Sequence, residues 1–231
     1  MHLIRKTPDT AEKLALLSAD SCYDLACACG TSDFEHRRRS QDNKWVYPVA
    51  LPDGGTTYLF KTLLSNVCVN DCAYCPLRAQ SHTRRCSLKP EELAGTFLSY
   101  HRSGKVSGLF LSSAVTVNPD TTMERINRTA LILRKMRFKG YIHLKIIPGA
   151  SDGAIRQSLS LASAVSLNIE TAGEDNFRFL STTKQYVSDI IRPIGLISRL
   201  TAKGSYYEGV KQTTQFVVGA SNETDRQLIN C

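Results

Sequence analysis

The stretch VCVNDCAYCP, residues 67–76, places Cys68, Cys72 and Cys75 within eight positions of a 231-residue chain that has eight cysteines in all. The spacing C-x3-C-x2-C sets the thiols at i, i+4 and i+7, so a helix could show all three on one stripe. Asn70, Asp71 and the closing Pro76 favour a loop instead, and the triplet directly follows the extended apolar run TYLFKTLLS at 57–65. A loop leaving a strand end can wrap its thiols around a metal group. On spacing alone, two chemistries stay open. A structural zinc wants a fourth ligand, for which Cys86 or His82 is near in sequence. An iron-sulfur cluster is held by the thiolates of short cysteine runs.

Downstream of the triplet, short apolar runs alternate with helical patterns. The runs are GLFLSS (108–113), YIHLKII (141–147), AVSLNIE (164–170) and TTQFVVG (213–219). Pro90-Glu91-Glu92 opens a helix that stops at Gly104, and Thr121-x-x-Glu124 reads as a capping box for one that stops at Gly140. With the run at 57–65, about five strands alternate with helices, which predicts βαβ units and a parallel sheet. The strands are not uniformly apolar, however. Val165, Leu167 and Ile169 alternate with Ser166, Asn168 and Glu170, while Ile142, Leu144 and Ile146 alternate with Tyr141, His143 and Lys145. Period two sends each set to one face. A greasy face against helices and a polar one inside suit a partial barrel around a ligand; the alternative is a sheet with one face in water.

Residues 1–55 form the lead-in and 56–231 the (βα) body. The lead-in opens with a helix capped at Asp9 or Thr10, with Leu14, Ala15 and Leu17 on one face, and continues through a basic, turn-rich stretch from Gly30 to Gly55 read as mostly irregular. Its Cys22, Cys27 and Cys29 match no known ligand spacing. They read as small half-buried residues near a helix end, with a second metal site as the alternative. Cys86 and Cys231 are expected to have no function of their own.

The net charge of +8 favours a polyanionic partner and is equally that of an ordinary basic enzyme. Basic clusters such as His36-Arg37-Arg38-Arg39 and Arg84-Arg85 lack the interleaved aromatics of a single-strand platform. No run of about 18 apolar residues spans a membrane, and the N-terminus lacks a secretory h-region. The expected compartment is the cytoplasm, where close thiols bind metal or do chemistry rather than pair as disulfides.

CVNDCAYC, with an aromatic before its third cysteine and a strand before its first, resembles the C-x3-C-x-aromatic-C motif of the radical S-adenosylmethionine (SAM) superfamily. YLFKTLLSNVCVNDCAYCPLR, GLFLSSAV, GYIHLKIIPGAS, LNIET, RPIG and VVGASNETD resemble, in order, a branch described as DNA modification or repair radical SAM proteins. The resemblance covers most of the chain. It implies a partial (βα) barrel of radical SAM type. It also implies that Cys68, Cys72 and Cys75 each ligate one iron of a 4Fe-4S cluster whose fourth iron binds SAM. Electron transfer to SAM then yields a 5′-deoxyadenosyl radical that abstracts hydrogen from substrate.

By the same resemblance, Tyr74 stacks near the adenine and Ser112 and Ser113 bind the methionyl amino group. Asn168 and Glu170 reach the ribose or methionyl portion, and the backbone from Val217 to Gly219 contacts adenine. His143 and Lys145, on the polar face, touch the SAM carboxylate or substrate. The implied partners are a reductant such as flavodoxin or ferredoxin, and DNA or RNA. The superfamily barrel commonly has six βα units, so a chain with five strands whose last helix, in GASNETDRQLINC, is capped at Ser221 or Asn222 reads as truncated at its C-terminus. Two other readings stand beside catalysis: a zinc-stabilised nucleic-acid-binding module, and an inactive short form.

Overall fold

The computed structural model describes residues 8–21, 45–51 and 53–231. Cys22, Cys27, Cys29 and the His36–Arg39 cluster lie outside the described residues. Six strands make one sheet in sequence order: β1 (Val46–Ala50), β2 (Thr56–Leu63), β3 (Gly108–Ser112), β4 (Tyr141–Lys145), β5 (Ala164–Ser166) and β6 (Lys211–Thr213). β1 runs antiparallel to β2, and each of the other neighbouring pairs is parallel. Parallel strands joined in sequence order by crossovers of one hand put every connecting helix on the same side, so the sheet curls with its other face inward.

The outer face of the sheet is apolar. Phe60, Leu109, Leu111, Ile142, Leu144 and Val165 are buried against α2 (Pro90–Arg102), α3 (Pro119–Lys135) and α4 (Asp152–Leu161), chiefly through Leu93, Phe97, Ile126, Leu133, Ile155 and Leu159. α1 (Thr10–Asp20) adds Leu14 and Leu17 to the same core, and Lys13 Nζ meets Glu92 of α2 at 3.1 Å. The inner face carries Lys61, Leu63, Phe110, Ser112, His143, Lys145 and Ser166, all buried. The polar alternation in the sequence is therefore an interior lining and not an exposed face.

Several local expectations shift. The stretch read as irregular contains β1, an edge strand that tolerates Pro48 because an edge leaves amide positions without a ladder partner. Asn118, not Thr121, caps α3: its side chain accepts from the Thr121 amide at 2.8 Å. The AVSLNIE run is extended and paired only over 164–166, and TTQFVVG mostly follows β6, whose residues 211–213 are polar. The two runs meet again at a bridge between Glu170 and Phe216. The last helices are α5 (Glu174–Phe177), α6 (Arg192–Thr201), which continues a π-helical turn over Tyr186–Ile191, and α7 (Asp225–Ile229). Thr224 caps α7, in place of Ser221 or Asn222. Among the described residues no helix is long and apolar enough to cross a membrane.

Gly108 begins β3 where a Cβ would lie 2.8 Å from the Tyr141 carbonyl oxygen and 3.0 Å from Leu59 Cδ2, so the strands close only around glycine. Gly95, on the exposed side of α2, has nothing within 4 Å of that position. Gly108→Ala is expected to lose about 1–3 kcal/mol of stability. Gly95→Ala should gain about 0.5–1 kcal/mol through helix propensity. Urea denaturation of both variants measures the pair of opposite signs.

Candidate active site

The cysteine loop begins where β2 ends, and its two ends are tied together. Ser65 bridges Ser87, the Cys86 amide donates to Asn66 Oδ1 at 2.7 Å, and Asn66 Nδ2 donates to the Arg84 carbonyl at 2.8 Å and to Asp20 Oδ2 at 2.7 Å. Inside this neck lies the Arg85 guanidinium. It donates to the carbonyls of Leu77 at 2.9 Å, Arg78 at 2.7 Å and Ser81 at 3.2 Å, and to that of Asn66. A rigid fork with several donors is suited to gathering carbonyls that a tight loop would leave unpaired. The loop also docks on the chain after β3, where the Val69 amide donates to the Val115 carbonyl at 2.9 Å.

Cys68, Cys72 and Cys75 all line one cavity of about 440 Å³ at the carboxyl ends of the parallel strands. Opposite them lie Ser112, Ser113, Lys145, Asn168, Glu170, Gln215 and Val217, with Tyr74 at their side. Burial pushes the Cys72 and Cys75 thiols up, with the Lys184 cation pulling both the other way. Lys184 is the residue that sequence reading passed over. Its side chain is only 7% exposed, its ammonium lies 4.0 Å from Glu170 Oε1, and its charge acts on the Cys72 thiol in the same cavity. Burial alone would lower Lys184, but the Cys72 sulfur and the Glu170 carboxylate beside it outweigh that and push the lysine up.

Glu170 sits at φ +69, a left-handed conformation costly for a residue with a Cβ, and still buries its carboxylate in the cavity. Tyr74, pushed up by burial first and then by the Glu170 charge, stays a phenol beside that carboxylate. Asn168 Nδ2 contacts Glu170 Oε2 at 3.5 Å, and its Oδ1 is buried with no hydrogen-bond partner. An orphaned acceptor on a cavity wall is where a ligand hydroxyl or amine would donate.

Asp71, beside Cys72, receives hydrogen bonds from Ser181, Thr182 and Thr183. Its burial would raise the carboxyl, but those bonds outweigh it and hold it well below the usual carboxylate range. Asp71 stood out only as a turn residue and Arg85 only as part of a basic pair, neither pointing to these contacts, and Lys184 did not stand out at all. Asp71 and the hydroxyls it gathers lie more than 100 positions apart, and a lone basic residue in a basic chain does not stand out.

Of the residues singled out in the sequence, the cavity brings together the three cysteines, Tyr74, Ser112, Ser113, Lys145, Asn168, Glu170 and Val217. It does not include His143 or Gly219. His143 lies nearer the amino ends of the strands, with Nε2 2.8 Å from Ser166 Oγ and Nδ1 3.2 Å from the Tyr141 hydroxyl. Gly219, at φ +80, turns the chain after Val218. Cys86 is no fourth ligand to the triplet: it is outside the cavity lining, and its Sγ lies 3.9 Å from the Lys13 carbonyl of α1.

Among the described residues no three His, Cys, Asp or Glu side chains gather closely enough to chelate one metal ion. Ligands of a single zinc, each with sulfur about 2.3 Å from the metal, would crowd to within about 4 Å of one another. Three thiols around a roomy cavity instead suit a polynuclear group that each touches at a different metal. The donor set therefore fits an iron-sulfur cluster, and the polar wall opposite leaves space for a second ligand.

No protein-family model matches this chain, and neither does any curated protein. Among solved structures, the FeFe-hydrogenase maturase HydG from Carboxydothermus hydrogenoformans aligns with a TM-score of 0.54 at 15% identity, over 68% of this chain and 35% of that one. Methylornithine synthase (PylB) aligns with a TM-score of 0.51 at 15% identity, over 75% of this chain and 60% of that one. The likeness to these structures shows the fold: an α/β partial (βα) barrel with a mostly parallel six-strand sheet. The chain spans about a third of the length of HydG and 60% of that of PylB.

Arg85→Ala is expected to loosen the cysteine loop without disturbing the outer core, costing about 2–3 kcal/mol for a charged group bonded to several carbonyls. The sensitive measurement is thiol labelling of the apo protein: Cys72, 8% exposed, should react several-fold faster in the variant than in the wild type.

Proposed function

We propose that this chain is a radical SAM enzyme whose cavity holds a 4Fe-4S cluster on Cys68, Cys72 and Cys75 and SAM beside it. The observation that carries this reading is the convergence of three unpaired thiols with Lys184, Glu170 and the orphaned Asn168 Oδ1 on one cavity. When bound, the cluster and SAM would supply an electron and a 5′-deoxyadenosyl radical that abstracts hydrogen from substrate.

The chain's own residues do the holding. Cys68, Cys72 and Cys75 would hold the cluster with three protein ligands only, the kind of incomplete ligand set that leaves room for chemistry in catalytic metal sites. Lys184 offsets the negative charge of the thiolates and presents the cation that a ligand carboxylate seeks, a role the sequence had suggested for Lys145 or His143. Lys145 lines the same wall, with Nζ donating to Gln215 Oε1 at 2.9 Å. Ser112, Ser113 and the Asn168 carbonyl offer acceptors for an amino group or ribose hydroxyls. Tyr74 and the Val217 backbone flank the space an adenine would take. Burial of this wall keeps water from a reactive carbon radical.

For substrate we propose nucleic acid, supported by the +8 net charge and by the branch the sequence resembles. The electron donor would be a flavodoxin- or ferredoxin-like protein, and the compartment the cytoplasm.

Anaerobic reconstitution with iron and sulfide, then dithionite and SAM, tests the catalytic reading. The expected outcome is about four irons per chain and release of 5′-deoxyadenosine. Cys72→Ala should lose the cluster and Cys86→Ala should keep it. A colourless protein holding one zinc per chain would sink the proposal. Binding to duplex, single-stranded and damaged DNA and to tRNA across a salt series tests the substrate class. Contacts to phosphate should give affinity that falls linearly with salt on a log–log plot, with one form preferred.

A further inference from the structure

Asp71 stands next to a cluster cysteine, yet both its oxygens are committed elsewhere. Oδ1 accepts from Ser181 Oγ at 2.6 Å, Thr183 Oγ1 at 2.8 Å and the Thr183 amide at 3.4 Å. Oδ2 accepts from the Thr182 amide at 2.9 Å and from the Thr182 hydroxyl. The adjacent Ala73 amide donates to the Leu180 carbonyl at 2.8 Å, so the turn from Leu180 to Thr183 lies along the cysteine loop. A carboxylate engaged by five donors has little capacity left for a metal or substrate. The next residue in the turn is Lys184, directed into the cavity against Cys72 and Glu170.

Each end of this turn has its own anchor. Leu180 and Phe177 are packed in a small core with Tyr186 and Ile190, and Tyr186 donates to the Thr171 carbonyl at 2.8 Å. The turn would therefore stay attached without Asp71; what it would lose is its registration on the cysteine loop.

We propose that Asp71 is a positioning residue that latches the Leu180–Lys184 turn to the cysteine loop and so sets Lys184 in place for bound SAM. The inference deepens the functional reading above and rests on it for the identity of the ligand. Because the latch is built from contacts within the chain, it exists before any cofactor arrives.

The test uses the full chain with Asp71→Ala, Asp71→Asn, Lys184→Ala and the Asp71→Ala/Lys184→Ala pair. In the apo protein, hydrogen exchange at the Thr182 and Thr183 amides should quicken about tenfold in Asp71→Ala and less in Asp71→Asn, which keeps one acceptor oxygen. After reconstitution, SAM affinity measured by equilibrium dialysis should fall about tenfold in Asp71→Ala with iron content retained. The double variant should bind no more weakly than Lys184→Ala alone, since the latch acts through that lysine. Unchanged exchange would overturn the proposal. So would fast exchange with unchanged SAM affinity, losses that add in the double variant, or loss of iron along with SAM. If the wild type takes up no cluster, the functional reading fails, while amide exchange still decides whether the latch exists.

Discussion

Parallel strands in sequence order, joined by crossovers of one hand, leave the inner face of the sheet with no helix to cover it. Side chains and a ligand must fill that space, and the rest of the structure follows from this constraint. The outer face is free to be apolar and packs through Phe60, Leu109, Leu144 and Val165, while the inner face gathers Lys61, Ser112, His143, Lys145 and Ser166. Such a lining is expensive unless its groups are satisfied or functional. Toward the amino ends of the strands they are satisfied, with His143 held between Ser166 and Tyr141. Toward the carboxyl ends the wall retains an unpartnered acceptor at Asn168 and a left-handed Glu170, both bordering the thiol cavity.

Charge in the cavity is arranged around Lys184. One buried ammonium serves Glu170 and Cys72 together, so removing it would strand a buried carboxylate among thiols. Three layers converge to hold that arrangement: Arg85 closes the cysteine loop, Asp71 ties the loop to the Leu180–Lys184 turn, and Tyr74 lines the cavity with Glu170. Supporting contacts of this kind keep a site from being present but too loose to act.

Much of the fold was legible because its period-two pattern is strong. In YIHLKII and GLFLSS the alternation or apolar run coincides with a strand held on both sides by neighbours. It failed where tertiary context wins over local pattern. β1 looked like loop because of Pro48 and its turn-rich surroundings, and the last strand, expected at the apolar 213–219, pairs over the polar 211–213 because an edge strand need not be apolar. AVSLNIE read as one long strand, but regular pairing stops at Ser166: the Thr214 hydroxyl bonds the Leu167 carbonyl and the Ile169 amide instead, and pairing returns only at Glu170, on the cavity wall. The cysteines announced themselves by spacing within one loop. Lys184 could not, since it reaches Cys72 only after folding has brought Asp71 and Ser181 together.

The central claim is that three thiols of this chain hold a cluster with one open metal facing a wall built for SAM. Mössbauer spectroscopy of protein reconstituted with ⁵⁷Fe, recorded before and after SAM is added, tests it most directly. The account predicts a four-iron cluster in which SAM shifts the signal of one iron in four and leaves the other three. A spectrum unchanged by SAM, or one showing only mononuclear iron, would contradict it.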